Sequence, residues 1–327
     1  MTQDLKSRII GLVGHDLEQV EHALETHLSP NLDLVRQIAS HLLFSGGKRL
    51  RPLLMIHSAR MCGYVNGFEI AFSTLFEYLH AATLLHDDVV DEASKRRGKD
   101  TAHSKWSVPK VVLTGDFLLA RALDIASQTD LPGIIRVIAN ITQEMSQGEI
   151  DQMTQKGNVN LTEAQYLKVI ERKTAVLIQG ACQSGAILAG VSPEKEKALK
   201  DYGYHLGMAF QMADDLLDYT ASAEVLGKNP GADIREGKLT LPLIKALESA
   251  GEKDRTFMTH MIENESLDDA QFEALKDLLF RYNGIDYTKE RAAYHVTSAK
   301  NCLDGFEDST SRQVLTLLAD YSISRNV

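Results

Sequence analysis

Two clusters of aspartates share one spacing, and that spacing suggests metal chemistry. Each cluster ends an apolar run, HAATLLHDDVVD at 80–91 and GMAFQMADDLLD at 207–218. On a helix, positions i, i+1 and i+4 lie near one face, so the carboxylates of each trio are expected to converge. Like charges within one turn repel, and carboxylate oxygens are ligands that Mg²⁺ prefers. We therefore predict metal ligands at Asp87, Asp88, Asp91, Asp214, Asp215 and Asp218.

Basic residues accompany both clusters, which two solvated acidic helix ends would not require. FSGGKRLRP at 44–52 holds a glycine pair whose backbone can approach an anion, followed by lysine and arginine side chains. KRRGK at 95–99 follows the first cluster, and KNPGADIREGK at 228–238 follows the second. Each stretch taken alone has a simpler explanation as a surface turn or a helix connection. Together they predict a phosphate-binding site beside the metal.

The remaining candidate groups favour diphosphate chemistry over nucleophilic catalysis. His80 stands seven residues, or two helical turns, before Asp87 and so shares its face. A lone histidine in an apolar helix is usually a core residue, but beside a phosphate it becomes a candidate donor. His86, next to Asp87, is interpreted as structural. The sequence has no G-x-x-x-x-G-K-[ST] loop and no serine nucleophile motif, so departure of diphosphate over an apolar pocket fits best.

The composition is that of a soluble globular protein and disfavours several function classes. Of 327 residues, 44% are hydrophobic and 24% are charged, and the net charge of −10 argues against a nucleic-acid partner. The three cysteines are widely spaced with no C-x-x-C pair, which argues against a zinc site. Because the N-terminus lacks the basic start and apolar core of a signal peptide, a cytoplasmic location is expected.

Apolar residues recur at helical spacing along almost the whole chain, and no strand alternation is evident. The stretch 67–91 is apolar on nearly all sides and is predicted to lie at the centre. Thr162 with Gln165 predicts a capping box, and Ser192-Pro193 predicts another helix start. The expected fold is a single all-α domain over 1–327. Helices are predicted near 5–28, 31–44, 53–62, 67–91, 108–127, 132–154, 162–190, 193–220, 240–250, 254–264, 269–281, 286–303 and 308–323.

The order of these motifs resembles that of the trans-polyprenyl diphosphate synthase family. The matching stretches, between about residue 40 and residue 245, are GGKRLRP, LLHDDVVDEASKRRGK, GDFLLARA, ERKTAVL, GMAFQMADDLLD and GKNPGADIREGKLTLPLI. The resemblance implies a bundle of about a dozen helices around a deep central cavity, usually as a homodimer. It further implies that three Mg²⁺ ions bind an allylic diphosphate, which is condensed with isopentenyl diphosphate.

The resemblance also implies roles for individual residues. The six aspartates would hold the metal ions, and the catalytic groups would be Asp87, Asp88, Asp91, Lys173 and Asp214. The side chains implied on the allylic diphosphate are Arg96, Lys173, Thr174, Gln211, Lys228 and Lys238. Those implied on isopentenyl diphosphate are Lys48, Arg51, His80 and Arg97. Metal and cations would stabilise the departing diphosphate, which then accepts the proton released after the isopentenyl double bond attacks.

Residues upstream of Asp87 are expected to set the length of the product. Ala82 and Thr83 are small, whereas short-chain members of the family often place an aromatic residue at this level. Leu79 and Phe76 lie deeper, and at about 1.5 Å per residue Phe76 is about 16 Å below Asp87. The prediction is a long all-trans chain, hexaprenyl to nonaprenyl with octaprenyl favoured, as a quinone side chain destined for the membrane.

Other functions remain as alternatives at this point. A short-chain farnesyl or geranylgeranyl diphosphate synthase would use the same residues and differ only in its product. A terpene cyclase also uses a DDxxD motif but does not need Lys48, Arg51 and His80. A non-catalytic subunit of a heteromeric synthase tends to lose aspartates or the basic motif, and this chain retains both. A helical scaffold without a ligand predicts that removing Asp87 and Asp214 has no cost.

Overall fold

The fold is almost entirely helical, as the apolar spacing of the sequence predicts. The computed structural model describes residues 2–96, 98–221, 230–263 and 267–324. Apart from one two-stranded hairpin, every regular element in these ranges is helical, so the prediction of an all-α fold is confirmed. None of the helices in these ranges is long and apolar enough to cross a membrane.

The helices, numbered in chain order, match most of the predicted ranges. They are α1 (Thr2–Leu28), α2 (Asp33–Leu43), α3 (Leu50–Met61), α4 (Phe68–Val90), α5 (Ala102–Lys105), α6 (Val108–Ser127), α7 (Pro132–Thr154), α8 (Glu163–Ile170), α9 (Val176–Leu188), α10 (Pro193–Thr220), α11 (Ala232–Arg235), α12 (Leu241–Ser249), α13 (Glu252–Glu263), α14 (Asp269–Arg281), α15 (Gly284–Asn301) and α16 (Thr310–Ile323). A π-helical turn, Glu171–Ala175, joins α8 to α9. The hairpin pairs β1 (Lys95–Arg96) with β2 (Lys99–Asp100) in antiparallel register.

Two helix boundaries differ from the prediction for identifiable reasons. The predicted helix 162–190 is divided, because the π turn interrupts the α-helical hydrogen bonding between α8 and α9. Helix α3 starts at Leu50 rather than near 53, because Pro52 lies in its first turn, where a proline ring is tolerated. The predicted capping box is confirmed: the side chain of Thr162 accepts the Gln165 N–H, and that of Gln165 accepts the Thr162 N–H.

Helix α4 lies at the centre, as its continuous apolar character predicted. It packs against α1, α2, α3, α6 and α9. Phe72, Leu75, Phe76 and Tyr78 on this helix are completely buried. The Tyr78 hydroxyl donates to the Leu24 carbonyl oxygen at 2.7 Å, which satisfies this buried polar group. Because α4 is enclosed on several sides, its C-terminal acidic residues have a fixed position.

A buried histidine pair between α10 and α15 predicts weakened stability in acid. His295 is 4% exposed, and its Nδ1 lies 2.9 Å from Nδ1 of His205. Burial, with smaller contributions from His205 and Arg291, lowers the pKa of His295 to about 4 from 6.5. The unfolded chain therefore binds an extra proton in this interval, and stability present above pH 6.5 is lost as pH falls towards 4.

We expect a His295→Phe variant to show a shallower fall in the free energy of unfolding between pH 6.5 and 4 than the wild type. Urea denaturation across this interval measures the slope. His15→Gln, at an exposed position on α1, is the matched control and should keep the wild-type slope. Equal slopes for the wild type and the His295 variant would show that the pKa of this histidine is the same in the folded and unfolded chains.

Candidate active site

The first acidic cluster forms the last turn of α4. Asp87 and Asp88 are helical, and Asp91 caps the helix, with its N–H donating to the Asp87 carbonyl oxygen at 2.8 Å. Asp88 is 2% exposed. Burial, and then the charge of Glu149 on α7, raises the pKa of Asp87 to about 6. Carboxylates at the C-terminal end of a helix also face the negative end of its dipole, so this cluster favours a cation.

The hairpin that follows α4 places one arginine against this cluster. Nε of Arg96 on β1 lies 2.7 Å from Oδ1 of Asp88. The turn is fixed by Thr101, whose hydroxyl donates to the Ala93 carbonyl oxygen at 2.6 Å. Arg96 therefore reaches back over the first acidic cluster. Arg97 lies outside the described residues.

The π turn places a lysine opposite the first cluster. Nζ of Lys173 forms an ion pair with Glu149 and donates to Oε1 of Gln152 at 2.8 Å. The positive charge of Lys173 partly offsets the rise in the pKa of Asp87, so the ammonium and this carboxylate are electrostatic neighbours. π turns occur frequently at functional sites. Sequence periodicity did not reveal this one, because a single inserted residue hardly disturbs the apolar spacing.

Two glycines on neighbouring helices allow the π turn to pack closely. A Cβ at Gly148 of α7 would lie 2.8 Å from the backbone nitrogen of Lys173. One at Gly207 of α10 would lie 2.5 Å from the Cα of Ala175. Real Cβ atoms do not approach a backbone this closely, so both helices can pack against the turn only with glycine at these positions. These two residues position Lys173, and the sequence analysis did not single them out.

The second acidic cluster lies in the last two turns of α10, and its three aspartates differ in solvent exposure. Asp214 is exposed, whereas Asp215 and Asp218 are 4% and 1% exposed. Asp215 accepts hydrogen bonds from the Tyr166 hydroxyl at 2.6 Å and from Nε2 of Gln211 at 2.8 Å. Burial, and then the charge of Asp233, raises the pKa of Asp215 to about 8. Asp233, on α11, is an acidic neighbour that the sequence analysis missed.

Asp218 holds the start of α11. Its carboxylate accepts the N–H groups of Ala232 at 3.3 Å and Asp233 at 3.0 Å, at the start of α11. Its carbonyl oxygen accepts the Gly231 N–H at 2.9 Å. The third aspartate of the second cluster therefore orders the segment that carries Lys238. Lys228, in the same loop, lies outside the described residues.

We expect Asp218→Ala to destabilise the fold, because it leaves the two α11 N–H groups without their charged acceptor. The loss should be about 1–3 kcal/mol in the free energy of unfolding. Thermal unfolding in the absence of metal measures it. Asp214→Ala, one helical turn away and exposed, is the comparison and should change the midpoint little. Equal effects of both substitutions would contradict a structural role for Asp218.

Hydrogen bonds and ion pairs connect the two clusters. The Thr174 hydroxyl donates to Oε1 of Gln211 at 2.8 Å, and Gln211 in turn donates to Asp215. Nζ of Lys238 lies 3.6 Å from Oδ2 of Asp91, so the loop after the second cluster reaches the third aspartate of the first. Residues predicted from separate motifs to share one site are thus brought together.

The FSGGKRLRP turn is held by its buried arginine. Arg49 has a φ of 47° and is 5% exposed. Its guanidinium lies 2.6 Å from Glu21 and 3.3 Å from Glu77, and it donates to the Leu43 carbonyl oxygen at 2.8 Å. These contacts fix the turn and make Arg49 structural. The nearby side chains of Lys48 and Arg51 are more exposed than that of Arg49.

The candidate isopentenyl groups are more accessible than Arg49. Lys48 is exposed, and its Nζ lies 4.9 Å above the ring of Tyr321 on α16. Arg51 in the first turn of α3 and His80 on α4 are both half-buried. His86 packs against α6, where its Nε2 lies 3.0 Å from the Val112 carbonyl oxygen, in agreement with a structural role.

The α4 residues below Asp87 form a buried apolar wall. Ala82 and Leu79 are 4% and 3% exposed, and Phe76 is completely buried. Thr83 is half-buried, and its hydroxyl donates to the His80 carbonyl oxygen at 2.9 Å. The Phe76 ring meets that of Phe72 edge to face, with centroids 6.0 Å apart. The small side chains at 82 and 83 therefore lie above larger ones, as predicted.

A cavity of about 620 Å³ lies elsewhere, between α1, the end of α3 and the start of α4. Arg60 and Glu69 are among its lining residues. Glu69 is five helical turns, or about 27 Å, from Asp87. The cavity is therefore separate from the acidic site.

The donor set has the character of an incomplete magnesium site. Among the described residues, no three carboxylate, imidazole or thiol groups stand close enough together to hold one ion. Mg²⁺ is commonly held by one or two carboxylates, with water and phosphate oxygens filling the other positions. The carboxylates at these two helix ends, with Arg96 against Asp88 and Lys238 against Asp91, therefore fit Mg²⁺ that is completed by a diphosphate.

The all-helical bundle has the isoprenoid synthase fold of the solved polyprenyl synthases that it resembles. The family model for polyprenyl synthetase matches residues 32–279. The chain belongs to this family, and it is a prenyltransferase.

Individual relatives agree with this assignment. The chain is 36% identical over 326 residues to an octaprenyl diphosphate synthase of Haemophilus influenzae, covering 99% of each chain. It is also 36% identical, with 99% coverage of each, to an all-trans-nonaprenyl-diphosphate synthase of Rhodobacter capsulatus. A polyprenyl synthase from Caulobacter crescentus, solved with calcium and isoprenyl diphosphate, superimposes with a TM-score of 0.92 at 38% identity, covering 98% of each chain. Other matches include a short-chain synthase and component 2 of heptaprenyl diphosphate synthases.

Proposed function

We propose that this prenyltransferase uses Mg²⁺ to condense isopentenyl diphosphate with an allylic diphosphate into a long all-trans chain, with octaprenyl as the favoured length. The observation that carries the proposal is the ion pair between the first acidic cluster and the segment that follows the second: Nζ of Lys238 lies 3.6 Å from Oδ2 of Asp91. Relatives that make octaprenyl and nonaprenyl chains support the product class. Such a chain would serve as a quinone tail in a membrane.

The metal ions would be held by the six aspartates of the two clusters. Three ions are proposed; Asp87, Asp88 and Asp91 of the first cluster and Asp214, Asp215 and Asp218 of the second would hold them. Asp215 and Asp218 are already engaged by protein donors, but a carboxylate has enough lone pairs to accept more than two ligands. The bound ions would supply electrostatic stabilisation of the leaving diphosphate.

The surrounding cations would divide between two diphosphates. The allylic group would contact Arg96, Lys173, Thr174, Gln211, Lys228 and Lys238. Isopentenyl diphosphate would contact Lys48, Arg51, His80 and Arg97. The family resemblance implies this division, and two contacts support it: Arg96 lies against Asp88 and Lys238 against Asp91. Lys48 and Arg51 lie on the separate turn fixed by Arg49.

The chain's own residues would perform three tasks in the reaction. Lys173 and Arg96 would neutralise negative charge that develops on the departing diphosphate. The buried wall formed by Ala82, Leu79 and Phe76 would keep water from the allylic cation. No protein base is required, since the released diphosphate accepts the proton from the condensed product.

The test is to incubate the purified protein with Mg²⁺, labelled isopentenyl diphosphate and farnesyl diphosphate, and to separate the dephosphorylated products by chain length. An octaprenyl product that disappears on addition of a chelator would support the proposal. A geranylgeranyl product would favour a short-chain synthase and make Leu79 or Phe76 the stop. No product, with diphosphate still bound, would favour a subunit that needs a partner chain.

A homodimer is also proposed. The outer surfaces of α6 and α7 carry large apolar side chains, with Leu113 66% exposed and Ile150 64% exposed. Apolar side chains gathered on neighbouring helices commonly mark a contact with another protein. Light scattering on the purified chain measures its mass, and a monomer mass at micromolar concentration would refute the dimer.

A further inference from the structure

Two lysines from different loops share the carboxylate of Asp91. Nζ of Lys238 lies 3.6 Å from Oδ2, and Nζ of Lys156 lies 3.7 Å from Oδ1. Lys156 follows α7, and Lys238 follows α11. The Lys156 side chain is 38% exposed and that of Asp91 is 20% exposed, so the contact stands at the mouth of the site. Neither the motifs nor the resemblance assigned a role to Lys156.

The backbone ties these two loops together. The Gly157 N–H donates to the Gly237 carbonyl oxygen at 2.8 Å, and both glycines have a φ of 72°. A side chain at either glycine would be strained in this conformation. The N–H of Lys238 also donates to the Asp233 carbonyl oxygen at 2.8 Å. Lys156, Gly157, Gly237 and Lys238 therefore form one unit, here termed the lysine clasp.

The clasp depends on the negative charge of Asp91. Two ammonium groups near one carboxylate repel each other, and the negative charge of Asp91 between them offsets this repulsion. Lys238 also pairs with Glu236 at 2.6 Å, so the dependence on Asp91 is greater for Lys156. A divalent cation bound by Asp91 would take over those oxygens and repel both lysines. Each ammonium would then favour another anion within reach. A diphosphate bound to the same metal ion supplies such oxygens, and ammonium groups bind them well.

We propose that Lys156 is a further diphosphate-binding residue, held on Asp91 before the substrate arrives and transferred to the allylic diphosphate when the metal binds. The inference depends on the proposed function, because it assumes that Asp91 becomes a metal ligand. Lys156 and Lys238 move together through the Gly157–Gly237 hydrogen bond. The clasp thus adds a cation from the α7 side to those supplied by the hairpin and the π turn.

Calorimetric titration of metal and anion tests this role. The wild type, Lys156→Ala and Lys156→Arg are titrated with Mg²⁺ alone and then with inorganic diphosphate at saturating Mg²⁺. Lys253→Ala, at an exposed lysine on α13, is the matched control for loss of one surface charge. Circular dichroism confirms that each variant is folded. Steady-state kinetics on the same proteins give KM for the allylic diphosphate separately from kcat.

The two titrations should respond differently to Lys156→Ala. Affinity for magnesium diphosphate is expected to fall about tenfold, the usual effect of losing one charged hydrogen bond. Affinity for Mg²⁺ alone should stay equal or increase, because a competitor for Asp91 has been removed. KM for the allylic diphosphate should rise about tenfold with a smaller change in kcat. Lys156→Arg and Lys253→Ala should stay near the wild type.

Two results would overturn the inference while leaving the proposed function intact. Wild-type affinity for magnesium diphosphate in Lys156→Ala would mean that the lysine never contacts the anion. An equal loss of affinity for Mg²⁺ alone would mean that Lys156 only supports the shape of the site. A wild type that binds no magnesium diphosphate would instead refute the proposed function, and the role of Lys156 with it.

Discussion

Asp87→Asn is expected to lower kcat about a thousandfold, the scale on which metal and electrostatic stabilisation of a leaving group acts. The amide keeps the size of the side chain but removes the charge that would hold a metal ion. Steady-state turnover of labelled isopentenyl diphosphate at saturating Mg²⁺ measures the loss. Asp277→Asn, at an exposed position on α14, is the control and should keep full activity.

The same substitution is expected to stabilise the metal-free fold. Burial raises the pKa of Asp87 to about 6, so the ionised form is disfavoured in the folded chain relative to the unfolded chain. For an acid with a raised pKa, stability is present at low pH and is lost as pH rises through about 6. At pH 7 the neutral amide avoids that loss, so the thermal midpoint should rise.

The predicted loss of activity and the predicted rise in thermal midpoint of Asp87→Asn can be refuted independently. An active Asp87→Asn enzyme would remove this carboxylate from the chemistry. A lower thermal midpoint in the absence of metal would show that the ionised side chain stabilises the fold. A scaffold without a ligand predicts the rise in midpoint but no reaction in any variant, so the wild-type assay distinguishes that case.

Ala82→Phe is expected to shorten the product to farnesyl or geranylgeranyl length. Ala82 is 4% exposed on the wall below Asp87, and a ring there would fill the space needed by the growing chain. Products are separated by chain length after dephosphorylation. The total rate of condensation should change little even though the product is much shorter, because the aspartates and cations are unchanged.

Ala81→Phe is the matched control for this experiment. Ala81 is also buried, at 3% exposure, but it lies about 100° around the helix from Ala82. Both substitutions overpack the core and should lower the thermal midpoint by similar amounts. Only the change at position 82 should shorten the product. The same short product from both variants would mean that general distortion of α4, rather than a blocked path, limits chain growth.

Much of the fold could be predicted because its signals are local. Helices α4 and α10 were recognised by apolar spacing, and the start of α8 by the reciprocal bonds between Thr162 and Gln165, three residues apart. The hairpin, α5 and α11 were missed because two-residue strands and four-residue helices are too short to show a repeating pattern. The π turn was missed for a related reason, since it changes hydrogen bonding without changing which residues are apolar.

The sequence by itself determined that three carboxylates end each of two apolar helices, because i, i+1 and i+4 spacing needs only one helical turn. Only the tertiary structure decided what each carboxylate contacts. Asp218 meets the α11 amides, Asp215 meets Tyr166, and Asp91 meets Lys156, which is 65 residues further along the chain. Such contacts depend on how closely helices pack, as Gly148 and Gly207 show. Identical spacing therefore produced two clusters with different environments, because burial and distant partners, rather than local geometry, set the state of each charge.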